Sequence, residues 1–138
     1  AVRMIKSDNE SVSEKGELAE LMQYAEAIGM RIELFGELPE DTDLRKVFLI
    51  AIRECLTNGV RHADATLIHA EIVRKNKSIL LYITNNGKPP EGVVVPKGGL
   101  LNLLRYVADC GGKMKIESLP QYVLSIELPS KNGEVEKE

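Results

Sequence analysis

The stretch ECLTNGVRHA, from Glu54 to Ala63, closes a segment whose apolar residues recur at helical spacing. We predict a helix from Leu44 to about His62, preceded by the polar loop ELPEDTD, which supplies an N-cap at Asp43 or Thr42. One face of this helix is predicted to point into the core: Leu44, Val47, Phe48, Ala51, Ile52 and Cys55.

The same face turns polar over its last two turns, where Glu54, Asn58 and His62 follow one another at intervals of four residues. A buried polar group without a partner costs about 1–3 kcal/mol, so these side chains require water or a ligand. Either the helix end simply emerges from the core, with His62 favoured by the helix dipole, or the three side chains line a pocket. In the second case the Asn58 amide oxygen suits a hard cation and Glu54 can orient or deprotonate a hydroxyl, which predicts Mg²⁺ with phosphate.

Composition restricts the class of protein. The chain has 138 residues, 43% hydrophobic and 28% charged, which is typical of one globular domain. A formal charge of −3 argues against a nucleic-acid partner. The two cysteines, Cys55 and Cys110, are not spaced as metal ligands are, and they fit a protein of the reducing cytosol. The longest uninterrupted apolar run, Val47 to Ile52, is too short to cross a membrane. The opening Ala1-Val2-Arg3 suggests an excised fragment, although a processed mature chain would look the same.

The remaining segments show either the spacing of a helix or the alternation of a strand. Residues Ser11 to Ala27 predict an amphipathic helix with Ser13 as N-cap and Leu18, Leu21, Met22, Ala25 and Ile28 at helical spacing, and MRIELF predicts a strand. The runs TLIHAEIVR and SILLYIT predict one antiparallel hairpin, and KMKIES and YVLSIEL predict another, with a helix over residues 100–110 between them. Strands in one layer and helices in the other define an α+β, two-layer α/β sandwich.

A long loop separates the first hairpin from that helix. Residues Asn85 to Gly99 contain four glycines and three prolines and cannot form a regular element. A structureless loop of this length inside a compact domain is usually functional or disordered, so we predict a lid over a ligand. Gly98 and Gly99 precede the helix, where free N–H groups can hold an anion, although a Gly-Gly pair alone also fits an ordinary connection.

Three motifs together resemble one family. The pattern ExxxNxxxH in RECLTNGVRHADAT resembles the N box of the ATP-binding domain of sensor histidine kinases, whose Bergerat-type fold is shared with gyrase, Hsp90 and MutL. ITNNGKPP resembles the first glycine box, DNGxG, and KGGLLNLLRYVADCGGKMKIES is similar to the GxGLxNLRxRxxxxGGxxxxxS run of these kinases. The resemblance covers Met30 to Pro129 and implies a mixed, mostly antiparallel sheet covered on one face by helices.

The resemblance also implies a site for ATP and Mg²⁺. Glu54 is implied to be the acid/base or water-positioning residue and Asn58 the Mg²⁺ ligand, and Asn85 takes the place of the aspartate that receives the adenine amino group. The other implied nucleotide contacts are Arg61, His62, Gly87, where the base approaches the backbone, and the lid residues Gly98, Gly99 and Leu100.

By the same resemblance, residues 1–28 are a leader and a helix that connects to a missing helical dimerisation stem, residues 29–129 are the catalytic domain, and residues 130–138 are a disordered tail. The implied function is transfer of the ATP γ-phosphoryl group to a histidine of that stem in two-component signal transduction. The implied partners are ATP and ADP, the histidine-bearing domain and a response regulator, in a cytoplasmic parent homodimer, with no nucleic acid and no membrane contact by this fragment.

Several positions depart from the family pattern. Asn85 lacks the charge of the usual aspartate, which weakens its bond to adenine, Pro89 stands in place of a glycine, and Gln121-Tyr122 replaces a frequent Gly-Thr. A phosphoacceptor histidine is absent, so we expect no self-phosphorylation. Two alternatives stay open: an anti-sigma factor serine kinase of the same fold, and a degenerate, non-catalytic nucleotide-binding module, against which the retained Glu54 and Asn58 argue.

Overall fold

The computed structural model describes residues 6–130, with side chains described from residue 16 onward. Residues 1–5 of the predicted leader and helix (1–28) and residues 131–138 of the predicted tail (130–138) lie outside the described residues. The element order is α1 (Lys6–Ala27), β1 (Arg31–Phe35), α2 (Thr42–Ala63), β2 (Leu67–Lys75), β3 (Ser78–Asn85), α3 (Gly99–Asp109), β4 (Lys113–Glu117) and β5 (Val123–Pro129). None of the helices in this part of the chain is long and apolar enough to span a membrane.

The strands form one open sheet in the order β1-β2-β3-β5-β4. β1 runs parallel to β2, whereas β2–β3, β3–β5 and β4–β5 are antiparallel. Both predicted hairpins are therefore confirmed, and so is the α+β sandwich with a mixed, mostly antiparallel sheet. The central strands β3 and β5 extend together to the end of the sheet where the long loop begins.

The long helix α2 covers the centre of this sheet. It begins two residues before the predicted Leu44, because the N-cap is Asp41 and not Asp43 or Thr42: the Asp41 side chain accepts a hydrogen bond from the backbone N–H of Leu44 at 3.1 Å. It ends at Asp64, whose left-handed backbone (φ 53°) lets its N–H donate to the Gly59 carbonyl. All six residues of the predicted core face are buried.

The core lies between the helices and one face of the sheet. Alternate residues of the central strands point toward the helices and are fully buried: Ile79, Leu81 and Ile83 in β3, and Leu124, Ile126 and Leu128 in β5. Burial of side chains of this size stabilises the fold by about 1.5–3 kcal/mol each. Because this alternation continues to the ends of both strands, it also fixes which side chains face the open space next to the core.

The C-terminal half of α1 packs on the same core. Leu21 and Ala25 are buried, and the Tyr24 hydroxyl lies 3.3 Å from the Thr57 hydroxyl of α2. The helix already runs from Lys6, so the prediction of Ser13 as its N-cap is wrong. Met22 is exposed (38%) and not part of the core, because Leu21 and Ala25 carry the contact with the domain.

Candidate functional site

A cavity of about 770 Å³ opens between the C-terminal half of α2, the ends of β3 and β5, and the loop that leads to α3. Its volume lies in the range of roughly 300–1,000 Å³ that is typical of small-molecule sites. Eight of the nine site residues predicted from the sequence line it: Glu54, Asn58, Arg61, His62, Asn85, Gly98, Gly99 and Leu100.

The polar turns of α2 form one wall of this cavity. Glu54 and Asn58 are half-buried, whereas Arg61 and His62 are exposed at the mouth. His62 continues the stripe of the core-facing residues in helical spacing, and its side chain lies at the cavity mouth. Of the two interpretations drawn from the sequence, the structure supports a pocket beside the helix.

The carboxylate of Glu54 lies against the first residue of α3. A Cβ atom added at Gly99 would collide with the carboxylate carbon and with both carboxylate oxygens of Glu54. No side chain caps the N-terminus of α3, and its N-cap, Gly98, adopts a positive φ of 58°. Free N–H groups and the helix dipole attract anions to such a terminus. The Glu54 carboxylate therefore stands next to the place where the sequence predicts a bound anion.

The cavity lining carries more cations than carboxylates. Arg61, Lys88 and Lys97 line it together with Glu54 and Glu91, and the Lys88 ammonium also lies 3.6 Å from the Asp64 carboxylate. Cationic side chains at the mouth of a cleft raise the local concentration of anionic ligands and stabilise them once bound. The lining thus suits an anionic ligand such as a nucleoside triphosphate.

Two consecutive asparagines at the end of β3 have different contacts. The Oδ1 atom of Asn85 accepts a hydrogen bond from the backbone N–H of Gly87 at 2.8 Å, within the cavity wall. Asn86, which the sequence analysis did not single out, fastens the strand end to the start of β2. Its Oδ1 accepts from the N–H groups of Thr66 and Leu67 at 2.9 and 3.1 Å, and its Nδ2 donates to the Thr66 hydroxyl at 2.9 Å.

Gly87 is the one predicted site residue that does not line the cavity. It packs against the end of α2, where a Cβ atom would collide with the carbonyl oxygen and the methyl group of Ala63. The next residue, Lys88, donates its backbone N–H to the Ala63 carbonyl at 2.9 Å. The close approach that glycine permits here is to α2, so the suggested contact of Gly87 with a ligand ring stays a prediction.

Tyr122 lines the cavity and is absent from the predicted site residues. Tyr122 is only 8% exposed, and within residues 6–130 its hydroxyl makes no hydrogen bond of good length and angle, although two polar side chains are close enough to affect its pKa. The Cys55 thiol and the Asn58 side chain lie beside it. Extending the register of β3 and β5, in which Thr84 pairs with Val123, from the predicted hairpin pattern would have placed Tyr122 opposite Asn85.

Burial keeps the Tyr122 hydroxyl and the Cys55 thiol neutral. Desolvation raises the pKa of Tyr122 well above its ordinary value, and the neighbouring Cys55 and Glu54 act in the same direction. Desolvation likewise raises the pKa of Cys55 to about 12. Both groups therefore hold their protons at physiological pH.

The long loop is held to the domain near its middle. The backbone N–H of Val94 donates to the Ser118 hydroxyl at 3.2 Å, and the Val94 side chain packs against the core. Its neighbours Val93 and Val95 are exposed by 88% and 68%. The loop forms the remaining wall of the cavity through residues on both sides of this anchor, among them Pro90 and Lys97.

The donor set fits Mg²⁺ only together with a ligand. Within residues 6–130, no group of three or more His, Cys, Asp or Glu residues is arranged to hold a metal. Asn58 and Glu54 place an amide oxygen and a carboxylate on the same wall. Mg²⁺ is usually bound by one or two such protein oxygens, with water and substrate phosphates completing its octahedron, so these residues fit the metal when a phosphate is present.

No protein-family model matches the sequence, and no curated protein matches it. Solved structures do match. The ATP binding domain of PrrB from Mycobacterium tuberculosis is similar with a TM-score of 0.63 and 22% identity, over 85% of this chain and 93% of that domain. The histidine kinase AdeS from Acinetobacter baumannii is similar with a TM-score of 0.65 and 13% identity, over 86% of this chain and 65% of AdeS.

The blue-light activated histidine kinase EL346 from Erythrobacter litoralis is similar with a TM-score of 0.62 and 18% identity, over 81% of this chain. The chain spans only 40% of the length of EL346. These likenesses show that the chain has the fold of the ATP-binding domain of histidine kinases.

Proposed function

We propose that this chain binds ATP with Mg²⁺ and is the catalytic domain of a sensor histidine kinase. One observation carries the proposal. Glu54 and Asn58 of α2, Asn85 at the end of β3 and the Gly98–Leu100 turn line a single cavity. That cavity lies in a fold shared with histidine kinase ATP-binding domains.

Each side chain has a distinct task in this proposal. The Asn58 amide oxygen would hold Mg²⁺ together with the phosphates, and the metal would supply neutralisation of phosphate charge. Arg61, Lys97 and the N-terminus of α3 bind the remaining phosphate oxygens. Asn85 hydrogen-bonds the base at the far end of the cavity. The protein thus supplies mainly positioning and charge neutralisation, which is what phosphoryl transfer requires.

The proposed acceptor is a histidine on a separate dimerisation domain. The lone pair of an imidazole nitrogen forms the new P–N bond while the bond between the γ-phosphorus and the β,γ-bridging oxygen breaks, and ADP leaves with that electron pair. The other imidazole nitrogen releases its proton to a carboxylate, for which we propose Glu54, one of the two glutamates on the cavity wall. The phosphoryl group then passes to a response regulator, in the cytoplasm, from a parent protein that is a homodimer.

Calorimetric titration with ATP and ADP, with and without Mg²⁺, tests the nucleotide site. We expect saturable binding that weakens without the metal and in Asn58→Ala, whereas Asn76→Ala, the same change in the exposed β2–β3 turn, leaves it unchanged. Wild-type affinity in Asn58→Ala would contradict its part in metal binding. No binding at millimolar nucleotide would refute the proposed function and favour a degenerate module in which Asn85 and Pro89 mark a lost site.

Phosphotransfer separates the two kinase classes. The fragment with labelled ATP is incubated with a purified histidine-bearing stem from the parent gene. Acid-labile label on the stem supports the histidine kinase. Acid-stable label on a serine of a partner protein, without label on the stem, would favour the anti-sigma factor kinase.

A further inference from the structure

The Tyr122 side chain reaches α2 from the sheet side of the cavity. Continuing the β3–β5 register by one pair places it opposite Asn85, and it continues the series of β5 residues that face the helices. On α2 it lies beside Cys55 and Asn58. Residues three apart share one face of a helix, so a single phenol can contact both of them. The hydroxyl is therefore enclosed between the sheet and the polar wall of the cavity.

The Asn58 side chain, on that wall, has two ends of opposite hydrogen-bonding character. Its Oδ1 atom accepts hydrogen bonds and suits a hard cation, whereas its Nδ2 atom only donates. Rotation of the amide by half a turn about its terminal bond exchanges the two ends with little change in shape. The neighbour that holds the amino end therefore decides whether the oxygen is presented to a ligand.

The effect of Asn58 on the phenol indicates which end of the amide faces it. Burial raises the pKa of Tyr122, and Cys55 and Glu54 raise it further, whereas the Asn58 side chain acts in the opposite direction. A neighbour lowers the pKa of a phenol when it donates a hydrogen bond to the phenol oxygen, and Nδ2 is the donor of Asn58. The contact falls short of a good hydrogen bond, and polar contacts of this kind often tighten only when a ligand binds.

We infer that Tyr122 is a positioning residue for Asn58: its phenol oxygen holds the amino end of the amide, so that Oδ1 is turned toward the cation and phosphates in the cavity. The inference rests on the proposed function, since it requires Asn58 to hold Mg²⁺ together with a nucleotide. The hydroxyl alone has this role. Without it the amide can rotate and present its amino group, which a cation repels.

Calorimetry with ATP in excess Mg²⁺ and in EDTA gives the metal dependence of binding, defined as the ratio of the two association constants. Tyr122→Phe removes the hydroxyl and retains the ring. Because that hydroxyl makes no hydrogen bond of good length and angle, we expect the variant to fold, which its melting curve checks. We expect it to lower the metal dependence by about three- to tenfold, the range for one hydrogen bond, with unchanged affinity for metal-free ATP.

Two further variants separate orientation of the amide from packing. Tyr82→Phe is the matched control, because Tyr82 lies between the buried Leu81 and Ile83 of β3 and so faces away from the helices and the cavity; it should retain the wild-type metal dependence. In Asn58→Asp the carboxylate presents an oxygen in both orientations and needs no neighbour to turn it. In that background Tyr122→Phe should leave the metal dependence unchanged.

The comparison of the wild type with Tyr122→Phe is decisive even if Asn58→Asp does not fold. Equal metal dependence in the wild type and a folded Tyr122→Phe would overturn the inference and leave the proposed function standing. An equal loss in the wild-type and Asn58→Asp backgrounds would also overturn it, since the hydroxyl would then act without orienting an amide. Absence of wild-type binding at millimolar ATP would refute the proposed function itself.

Discussion

The carboxylate of Glu54 lies directly against Gly99, so α2 and α3 meet at the cavity through one acidic side chain and one residue without a side chain. This contact connects the first residue of the ExxxNxxxH pattern in α2 to the start of the helix that follows the loop. The two residues are far apart in the sequence, and the missing side chain of Gly99 leaves the space that the Glu54 carboxylate occupies beside the helix terminus.

We expect Gly99→Ala to impair nucleotide binding more than folding. The new methyl group occupies the position of the Glu54 carboxylate and pushes this flexible side chain into the cavity. Calorimetry should show ATP affinity reduced by about tenfold or more, the equivalent of about 1.4 kcal/mol. Gly92→Ala is the control, because it lies in the same loop with open space around its Cα. Equal affinities for the two variants would contradict the tight contact.

We expect Glu54→Gln to reduce phosphoryl transfer without reducing nucleotide binding. The amide retains the shape of the side chain but removes the negative charge next to the α3 terminus, so nucleotide phosphates no longer compete with a carboxylate there. Its ATP affinity should equal or exceed that of the wild type, while phosphotransfer to a supplied histidine stem falls by about 10²-fold or more. A loss of affinity with an unchanged transfer rate at saturation would show instead that Glu54 is a binding residue.

Much of this arrangement follows from local sequence patterns. The six apolar positions of α2 predict its buried face, and alternation in two strand pairs predicts both hairpins, because each pattern reports burial on one face of a regular element. The N-cap was misplaced by one or two residues since ELPEDTD offers several capping side chains at adjacent positions, and only the backbone conformation selects Asp41.

What the sequence did not reveal depends on contacts between distant elements. The sequence marks Tyr122 only as part of a departure from the family pattern, and the pairing of β3 with β5 is what brings it opposite Asn85. Gly87 was matched to a ligand contact by its motif, yet its nearest neighbour is Ala63 at the end of α2. The sequence pattern likewise does not show which hydrogen bonds a side chain makes, such as the one that Asn85 Oδ1 accepts from Gly87 N–H.

We expect the Cys55 thiol to make the domain less stable in alkaline solution. Its folded pKa is raised to about 12, whereas an unfolded thiol ionises near pH 9. Between these values the unfolded chain loses a proton that the folded chain retains, so stability falls as the pH rises, by up to about 1.4 kcal/mol per pH unit from this group. Urea unfolding from pH 7 to 11 should give a shallower decline for Cys55→Ala than for the wild type. A constant offset between the two curves would contradict the linkage.

We expect Gly87→Ala to destabilise the domain, in contrast to Gly99→Ala. The added methyl group meets the carbonyl oxygen and the methyl group of Ala63, and neither can rotate away as the Glu54 side chain can. The loop must separate from the end of α2, which strains the bond from Lys88 N–H to the Ala63 carbonyl. Overpacking of this kind costs about 1–3 kcal/mol, which urea unfolding at pH 7 measures. Gly92→Ala again controls for the change in unfolded-chain entropy. Because Gly87 itself does not line the cavity, the folded fraction of Gly87→Ala should still bind ATP, and wild-type stability with lost binding would show that Gly87 contacts the ligand after all.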